Sequence, residues 1–393
     1  MGNKIIRDPL YNYIALPKDR PWIREALDSP EFQRLRRIHQ LGVSNFTYPG
    51  ADHNRLAHSL GVLHLMEHVL CHLEEFEELR TDVEANRDAL LGAALLHDVG
   101  HGPFSHLFEP CLGIAHEEWS VRIISENTHL CTILERRDRY LPSRICDLIK
   151  DKPEKEPPLW QKALISSQLD VDRIDYLRRD SLFTGSGYGT FDWYRLLNTL
   201  EPFDSDGIVD LVWPTKAALG IEEYVFARYY MYQNVYLHKT TRGFECLLQE
   251  MWRNARELHE NGDTGSILDP ISSYWSAAEP TVDDYMRIEE FTVLEQMQIW
   301  KHDDHPVLSD LSRRFLCRDG LARVDPPQSD EALMPQNFGE WETALVDLVK
   351  RKGFEFAESY VLQDKVKAKY KRPYISPEKE AKEQSIRNSL RVI

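Results

Sequence analysis

Apolar positions along the chain recur mostly at helical spacing. Residues 54–76, 86–98, 116–126 and 160–183 each carry hydrophobic side chains at three- and four-residue intervals with polar positions between, which predicts amphipathic helices. "WIREALDSPEFQRLRRIHQLG", preceded by Pro21, predicts two short helices divided at Ser29-Pro30, because proline is tolerated in a first helical turn. "TKAALGIEEYVFARYYMYQNVYLHKTTRGFECLLQEMWRNARELHE" predicts one long helix or a kinked pair. Strand-like pieces are few: "NKIIRDPLYNYIAL" reads as a small hairpin around Asp8-Pro9, and "GIVDLVW" as a short strand. The predicted fold class is therefore mainly α, a helical core with a small N-terminal hairpin. The paired prolines and acidic residues of "ARVDPPQSDEALMPQ" predict a linker at 324–336. It would separate a core of residues 1–323 from a C-terminal lobe of 337–393, where alternating and basic segments predict α+β structure.

Composition narrows the class without changing this outline. A chain of 393 residues, 42% hydrophobic and 28% charged, can bury a sizeable core. "MGNKIIRDPL" has no apolar leader region, and no run of about 18 apolar residues suggests a membrane span. Six cysteines without CxxC spacing predict reduced side chains and a cytoplasmic location. The formal charge of −16 argues against nucleic acid as the main partner. An anionic ligand would then need lysines and arginines gathered in one cleft.

Candidate chemistry concentrates at the predicted helix ends. "LLHDVGHGPFSH" (95–106) brings His97, Asp98, His101 and His106 together, a set of nitrogen and oxygen donors suited to a metal with acid/base groups beside it. His58 lies in "HNRLAHSLGVLHLMEHVL" with Arg55 one turn before it, and "SQLDVDRIDYLRRDSLF" lines up Asp172, Tyr176 and Asp180 on one helical stripe. Glu109 follows His106 by one turn, close enough for a carboxylate to hold an imidazolium. Arg228, Tyr232, Tyr236 and Lys239 predict a helix face with charge at both ends and rings between. "TGSGYGT" (184–190) reads as a glycine-rich loop.

"HNRLAHSLGV", "LLHDVGHGPFSH", "AHEEWS" and "DVDRIDYLRRD", in that order, resemble the HD-domain superfamily, and more narrowly its deoxynucleoside triphosphate (dNTP) triphosphohydrolases. The similarity runs from about Lys4 to Arg323, with the HD motif region at 50–185, and includes "DSPEFQRLRRIHQLG" and "VYLHKTTRGFE". The resemblance implies His58, His97, Asp98 and Asp172 as ligands of a divalent ion (Mn, Fe, Mg, Zn or Co). It implies catalytic duties for His101, His106 and His116, with Glu109 and Glu117 orienting them. Arg55 and Arg173, beside the ligands, and Lys239 are expected to hold phosphates. Positions matching Arg228 and Tyr236 face phosphates and sugar in the family, Tyr176 packs on the deoxyribose, Asp180 with Gln40 holds the 3′-hydroxyl, and Leu41 leaves no room for a 2′-hydroxyl.

The implied reaction converts a dNTP into a deoxynucleoside and inorganic triphosphate, serving dNTP pool control or antiviral defence. The resemblance further implies a regulatory site built from Lys4, Asp28, Gln33, Arg36 and Arg318, taking a guanine nucleotide or a second dNTP in a homo-oligomer, tetramer or hexamer. Arg173 departs from the lysine of vertebrate members, and the terminal lobe is weakly matched. Two alternatives stand beside this reading: an HD nucleotidase or phosphodiesterase acting on another phosphate ester, and a nucleotide-sensing scaffold without turnover.

Overall fold

The computed structural model describes residues 4–150, 153, 155–263, 266–324 and 338–364. Eighteen α-helices and two two-stranded sheets occur among them, in keeping with the mainly α expectation. They divide into two compact units, one of residues up to 109 with 114–236, the other of 110–113 with the described residues from 237 onward.

The first unit opens with the expected hairpin, β1 (Ile5–Asp8) antiparallel to β2 (Asn12–Ala15) with Asp8 opposite Asn12. The Asp8 carboxylate accepts the turn's Leu10 and Tyr11 N–H groups at 2.8 and 3.0 Å, satisfying donors the turn leaves free. Helices α1 (Pro21–Leu27) and α2 (Pro30–Gln33) follow, divided where expected, with Ser29 capping the second. The long helices α3 (Arg55–Leu73) and α4 (Glu77–Leu96) pack on each other with most of their length buried, and a short segment, α5 (Glu109–Leu112), precedes α6 (His116–Ser125). Helices α7 (His129–Arg137) and α8 (Leu141–Ile149) complete this layer, α8 lying on α4 and α6.

The periodic stretch 160–183 forms two helices rather than one, α9 (Leu159–Ile165) and α10 (Val171–Thr184). Asp170 ends the break by accepting the Arg173 N–H at 2.8 Å, so an N-cap restarts the helix where hydrophobic spacing alone suggested continuity. Helix α10 packs on α3, which sets the Asp172 stripe opposite His58. Helix α11 (Trp193–Asn198), the sheet of β3 (Glu201–Ser205) with β4 (Ile208–Val212), and α12 (Ala218–Met231) close the unit.

The second unit holds α13 (Lys239–Glu260), α14 (Asp269–Ser276), α15 (Val282–Met286), α16 (Glu290–Trp300), α17 (Pro306–Leu316) and α18 (Phe338–Arg351). Its core gathers around Trp252 and Trp300, both buried, with ring centroids 4.9 Å apart. The stretch 215–260 is thus a broken pair: α12 ends at Met231, a π-helical turn covers Tyr232–Tyr236, and His238 takes an extended conformation that caps α13. Nearly all of the expected 324–336 linker, and the terminal lobe beyond Asp364, lie outside the described residues; 338–364 form α18 and a short 3-10 turn at Ala357–Tyr360. No helix among the described residues is long and apolar enough to cross a membrane.

Candidate metal and acid–base site

Three elements of the first unit converge on the HD turn. Helix α4 delivers His97 and Asp98 at its C-terminal end, after Leu95 and Leu96 have anchored the last turn in the core. Gly100 then lies against α6: a Cβ there would come within 2.1 Å of the Ser120 nitrogen and 2.3 Å of the His116 carbonyl oxygen. Ser120 clamps the turn, accepting the Gly100 N–H at 2.9 Å and donating to the His97 carbonyl at 2.6 Å. The glycine thus lets α6, which carries His116, approach the His-Asp pair.

His58, His97 and Asp172 each present a donor atom, all within 4.8 Å of one another. Both imidazoles have their rear nitrogen engaged. His58 donates from Nδ1 to Asp175 Oδ1 at 2.8 Å, and His97 from Nδ1 to the Ala94 carbonyl at 3.1 Å. Each bond fixes the tautomer that turns an Nε2 lone pair into the site. The His58 Nε2 stands 3.0 Å from Asp172 Oδ1, and the buried His97 Nε2 has no hydrogen-bond partner. An orphaned buried nitrogen beside two carboxylates is the donor set a divalent cation completes, so the residues fit the ion. Asp98 adjoins the group, with Oδ1 3.4 Å from His97 Nε2 and Oδ2 3.6 Å from His58 Nε2. Burial works against the charge of Asp98 and Asp172, yet Arg55 beside the one and His58 with His97 beside the other hold both carboxyls well below the usual range. Burial likewise opposes the His58 cation, but hydrogen bonds to Asp172 and Asp175 push its imidazole up to about 10 in the metal-free protein.

A second cluster adjoins the first. His101 Nε2 stands 3.3 Å from Asp98 Oδ1, its ring stacks on His116 at 3.7 Å, and His106 meets both rings edge-on. Glu109 Oε1 accepts N–H bonds from His106 at 2.8 Å and His116 at 2.6 Å, while Glu117 is 3.3 Å from His116. Burial would raise the Glu109 carboxyl, but the two histidines outweigh it and pull it down to about 2. Burial, Arg55 and His116 together hold the His101 pKa well below the ordinary histidine value, leaving a neutral imidazole. The His106 side chain, 66% exposed, is the member of the cluster most open to solvent. It follows two left-handed residues, Phe104 (φ 53°) and Ser105 (φ 56°), and Ser105 Oγ accepts Arg55 Nε at 2.9 Å. Conformations this uncommon for residues with side chains persist only where the surroundings hold them.

The expected substrate residues are distributed unevenly. Asp180 accepts from His53 Nε2 at 2.7 Å and from the Tyr236 hydroxyl at 2.8 Å, and the Tyr176 ring meets Tyr236 edge-on at 6.3 Å. Gln40 is buried with its Oε1 unpartnered, and its N–H donates to the His53 carbonyl at 3.0 Å; Leu41 adjoins it in half-buried backbone. Arg55 is bound to Asp98 and Ser105, Arg173 to Asp170, and Arg228 donates to Gln168 at 2.9 Å. Lys239 opens α13 in the second unit. Among the expected regulatory residues, Lys4 pairs with Asp28 at 3.4 Å and Arg36 donates to Gln33 at 2.7 Å, while Arg318 belongs to the second unit. His53, Ser105, Gln168 and Asp175 were not singled out from sequence. "HNRLAH" did carry a signal for His53, since Arg55 and His58 share its motif.

This helical core, with its His-Asp donors, is an HD domain: residues 55–180 match that family. The chain belongs to the HD-domain family, and within it to the proteins similar to dNTP triphosphohydrolases. It is 35% identical over 84% of its length to the uncharacterized protein YwfO of Bacillus subtilis, 73% of which it covers. It is 29% identical over 69% of its length to the deoxynucleoside triphosphate triphosphohydrolase SAMHD1 of Homo sapiens, spanning only 47% of that protein. A solved phosphohydrolase of Bacteroides thetaiotaomicron shares 28% identity and a TM-score of 0.74, over 91% of this chain and 86% of that one. Together these support a phosphohydrolase that works with a divalent metal.

Proposed function

We propose that the protein hydrolyses deoxynucleoside triphosphates to the deoxynucleoside and inorganic triphosphate. The observation that carries the reading is the adjacency of two differently prepared groups. His58, His97 and Asp172, with Asp98, are set to hold a cation, and His106 beside them is an exposed imidazole tied to Glu109. Similarity to curated dNTP triphosphohydrolases over about two thirds of this chain supports the substrate class. A divalent ion bound there supplies a Lewis acid for the α-phosphate and lowers the pKa of a bound water.

The chain's own residues perform the rest. Attack of water at the α-phosphorus breaks its bond to the 5′-oxygen, and the departing oxygen needs a proton. His106, its Nδ1–H held by Glu109, delivers that proton from Nε2 as general acid. His116 shares the Glu109 anchor, Glu117 flanks His116, and neutral His101 packs between His116 and Asp98. Asp180, held by His53 and Tyr236, accepts from the 3′-hydroxyl, and the Gln40 side-chain amide donates to that hydroxyl's oxygen. Tyr176 packs on the sugar and Leu41 excludes a 2′-hydroxyl. Arg228 and Lys239 take phosphates; Arg55 and Arg173 add charge beside the ligands while staying tied to Asp98 and Asp170. Lys4, Asp28, Gln33, Arg36 and Arg318 form the regulatory site for a guanine nucleotide or second dNTP, in a tetramer or hexamer.

The test is incubation of the full chain with each dNTP and NTP, alone and in pairs, with Mn²⁺, Mg²⁺ or Fe²⁺. We expect triphosphate as the phosphorus product, deoxyribonucleotides preferred by roughly ten-fold or more because an added hydroxyl against an apolar wall loses its water without a partner. Stimulation of one dNTP's hydrolysis by another, weakened in Asp28→Ala, supports the regulatory assignment. Release of monophosphate or turnover of cyclic dinucleotides favours the nucleotidase or phosphodiesterase alternative, and binding without turnover favours the scaffold.

A further inference from the structure

Behind the metal-site histidines, the chain treats His58 and His97 differently. The rear nitrogen of His97 meets a neutral carbonyl, that of Ala94, whereas His58 donates to a carboxylate, Asp175, which is itself fully buried. Asp175 does not hang free. Arg179, one turn further along α10 and equally buried, donates Nε to Asp175 Oδ1 at 2.8 Å and Nη2 to Oδ2 at 3.0 Å. The remaining arm of the guanidinium, Nη1, donates to Asp8 Oδ2 at 2.9 Å. The other oxygen of Asp8 is the one that closes the hairpin turn between β1 and β2. A continuous chain of hydrogen bonds therefore runs from the N-terminal hairpin through Asp8, Arg179 and Asp175 to the Nδ1 of His58.

Three buried charged groups are a poor way to make a core. Desolvation offsets most of the attraction inside such a pair, and apolar side chains of similar volume often hold a fold as well or better. The space is also kept for the carboxylate. Gly61, one turn beyond His58 on α3, faces it so closely that a Cβ would fall 1.8 Å from Asp175 Oδ2 and 2.5 Å from Arg179 Nη2. With two carboxylates and one guanidinium, the chain behind His58 carries one net negative charge.

We infer that Asp175 is the positioning carboxylate of the metal site: held by Arg179, and through it by Asp8 of the hairpin, it fixes the His58 tautomer and strengthens His58 as a ligand. The inference rests on the metal-site reading above. A carboxylate behind a ligating imidazole keeps the proton on Nδ1, aims Nε2 at the ion and raises its basicity, and losing such a partner weakens metal binding by about 10- to 100-fold. Asp175 touches neither the ion nor the substrate, so its influence passes through His58 alone.

The experiment titrates Co²⁺ into the full chain stripped of metal by a chelator, reading affinity and the visible absorption of the bound ion. Asp175→Asn, close in shape but uncharged, is expected to weaken Co²⁺ binding about 10- to 100-fold and to alter the spectrum. Asp8→Asn, one link further away, should weaken binding by a smaller factor, because Arg179 keeps both bonds to Asp175. Co²⁺ affinity and spectrum unchanged in Asp175→Asn, with only a lower melting temperature, would overturn the inference and leave Asp175 a structural group. Should Asp175→Asn fail to fold, ¹⁵N-histidine spectra of the Zn²⁺-loaded wild-type chain decide, with His58 assigned by His58→Gln. A proton on Nδ1 is expected, and a proton on Nε2 overturns the inference. Failure of the wild-type chain to take up Co²⁺ or Zn²⁺ at all would instead remove the metal-site reading.

Discussion

The two histidine clusters touch through Asp98, yet they treat their nitrogens in opposite ways. In the His58–His97–Asp172 group both histidines are well buried, their rear nitrogens are occupied by Asp175 and the Ala94 carbonyl, and the lone pairs converge. In the His101–His106–Glu109–His116 group a single carboxylate oxygen accepts N–H bonds from two imidazoles, and one of these faces solvent. A cation site needs fixed tautomers and negative charge that no proton neutralises. A proton-delivery site needs the reverse: an accessible imidazole whose protonated form a carboxylate supports. One twelve-residue motif ending at His106 feeds both: His97 and Asp98 close the first cluster, His101 already stacks on His116 of the second, and the left-handed Phe104–Ser105 turn precedes His106.

The sharpest way to break this division is to remove one group from each side. Asp172→Ala should abolish bound metal and lower kcat by at least about a thousand-fold, since several kcal/mol of charge stabilisation depart with the ion. His106→Ala should lower kcat by about 10²- to 10⁴-fold while metal content stays at the wild-type level. Metal quantification beside turnover separates the two outcomes. Loss of metal in His106→Ala, or full occupancy in Asp172→Ala, would mean that the clusters are not divided in this way.

Acidity distinguishes them next. Because the metal-free His58 imidazole is pushed up to about 10, cation and proton compete for Nε2 throughout the neutral range. Cation affinity should therefore rise with pH, by about ten-fold per unit between pH 6 and 9, as one proton leaves for each ion bound. Calorimetry of Mn²⁺ binding in buffers of different ionisation enthalpy measures the released proton directly. A pH-independent affinity would show that His58 is already neutral before the ion arrives.

How the sequence disclosed these groups follows from what each depends on. The candidate donors could be named from sequence because a His-Asp pair at the end of an apolar helix, another His beside Arg55 and an Asp at the start of a third helix keep their meaning without coordinates, and the structure brings His58, His97 and Asp172 together. Asp175 was not. At four residues before Arg179 it looks like an ordinary surface ion pair, and only the packing of α10 on α3 turns that side of the helix inward to His58. Gly61 was silent for the same reason, since its lack of a side chain matters only once Asp175 stands opposite. Periodicity also ran smoothly through Ser166–Asp170 and Tyr232–Tyr236, where a cap and a π turn change direction. Hydrophobic spacing records which residues are buried, not where the backbone hydrogen bonds shift by a residue. The hairpin and the Ser29-Pro30 division were readable because proline and the turn residues act locally.

The smallest effect concerns the anchor of the second cluster. Glu109 is ionised in the folded protein down to a pKa of about 2, against an ordinary value of 4.5. A carboxyl depressed by folding contributes stability that is fully present above pH 4.5 and is lost as pH falls from 4.5 towards 2. His106, one of its two partners, is largely exposed, so water screens that contact and the contribution stays at or below about 1 kcal/mol. Glu109→Gln should therefore lower the urea midpoint modestly at pH 6, and the gap between wild type and variant should narrow clearly by pH 3 while closing only as pH falls through about 2. In the same variant, turnover at pH 6 should fall far more than stability does, because the charged acceptor that His106 and His116 share is replaced by a neutral amide. A stability difference that persists unchanged at pH 3 would mean that the Glu109 carboxylate does not hold the two histidines through its charge. Glu109 would then be a packing residue, and the contrast between the two clusters would rest on His106 exposure alone.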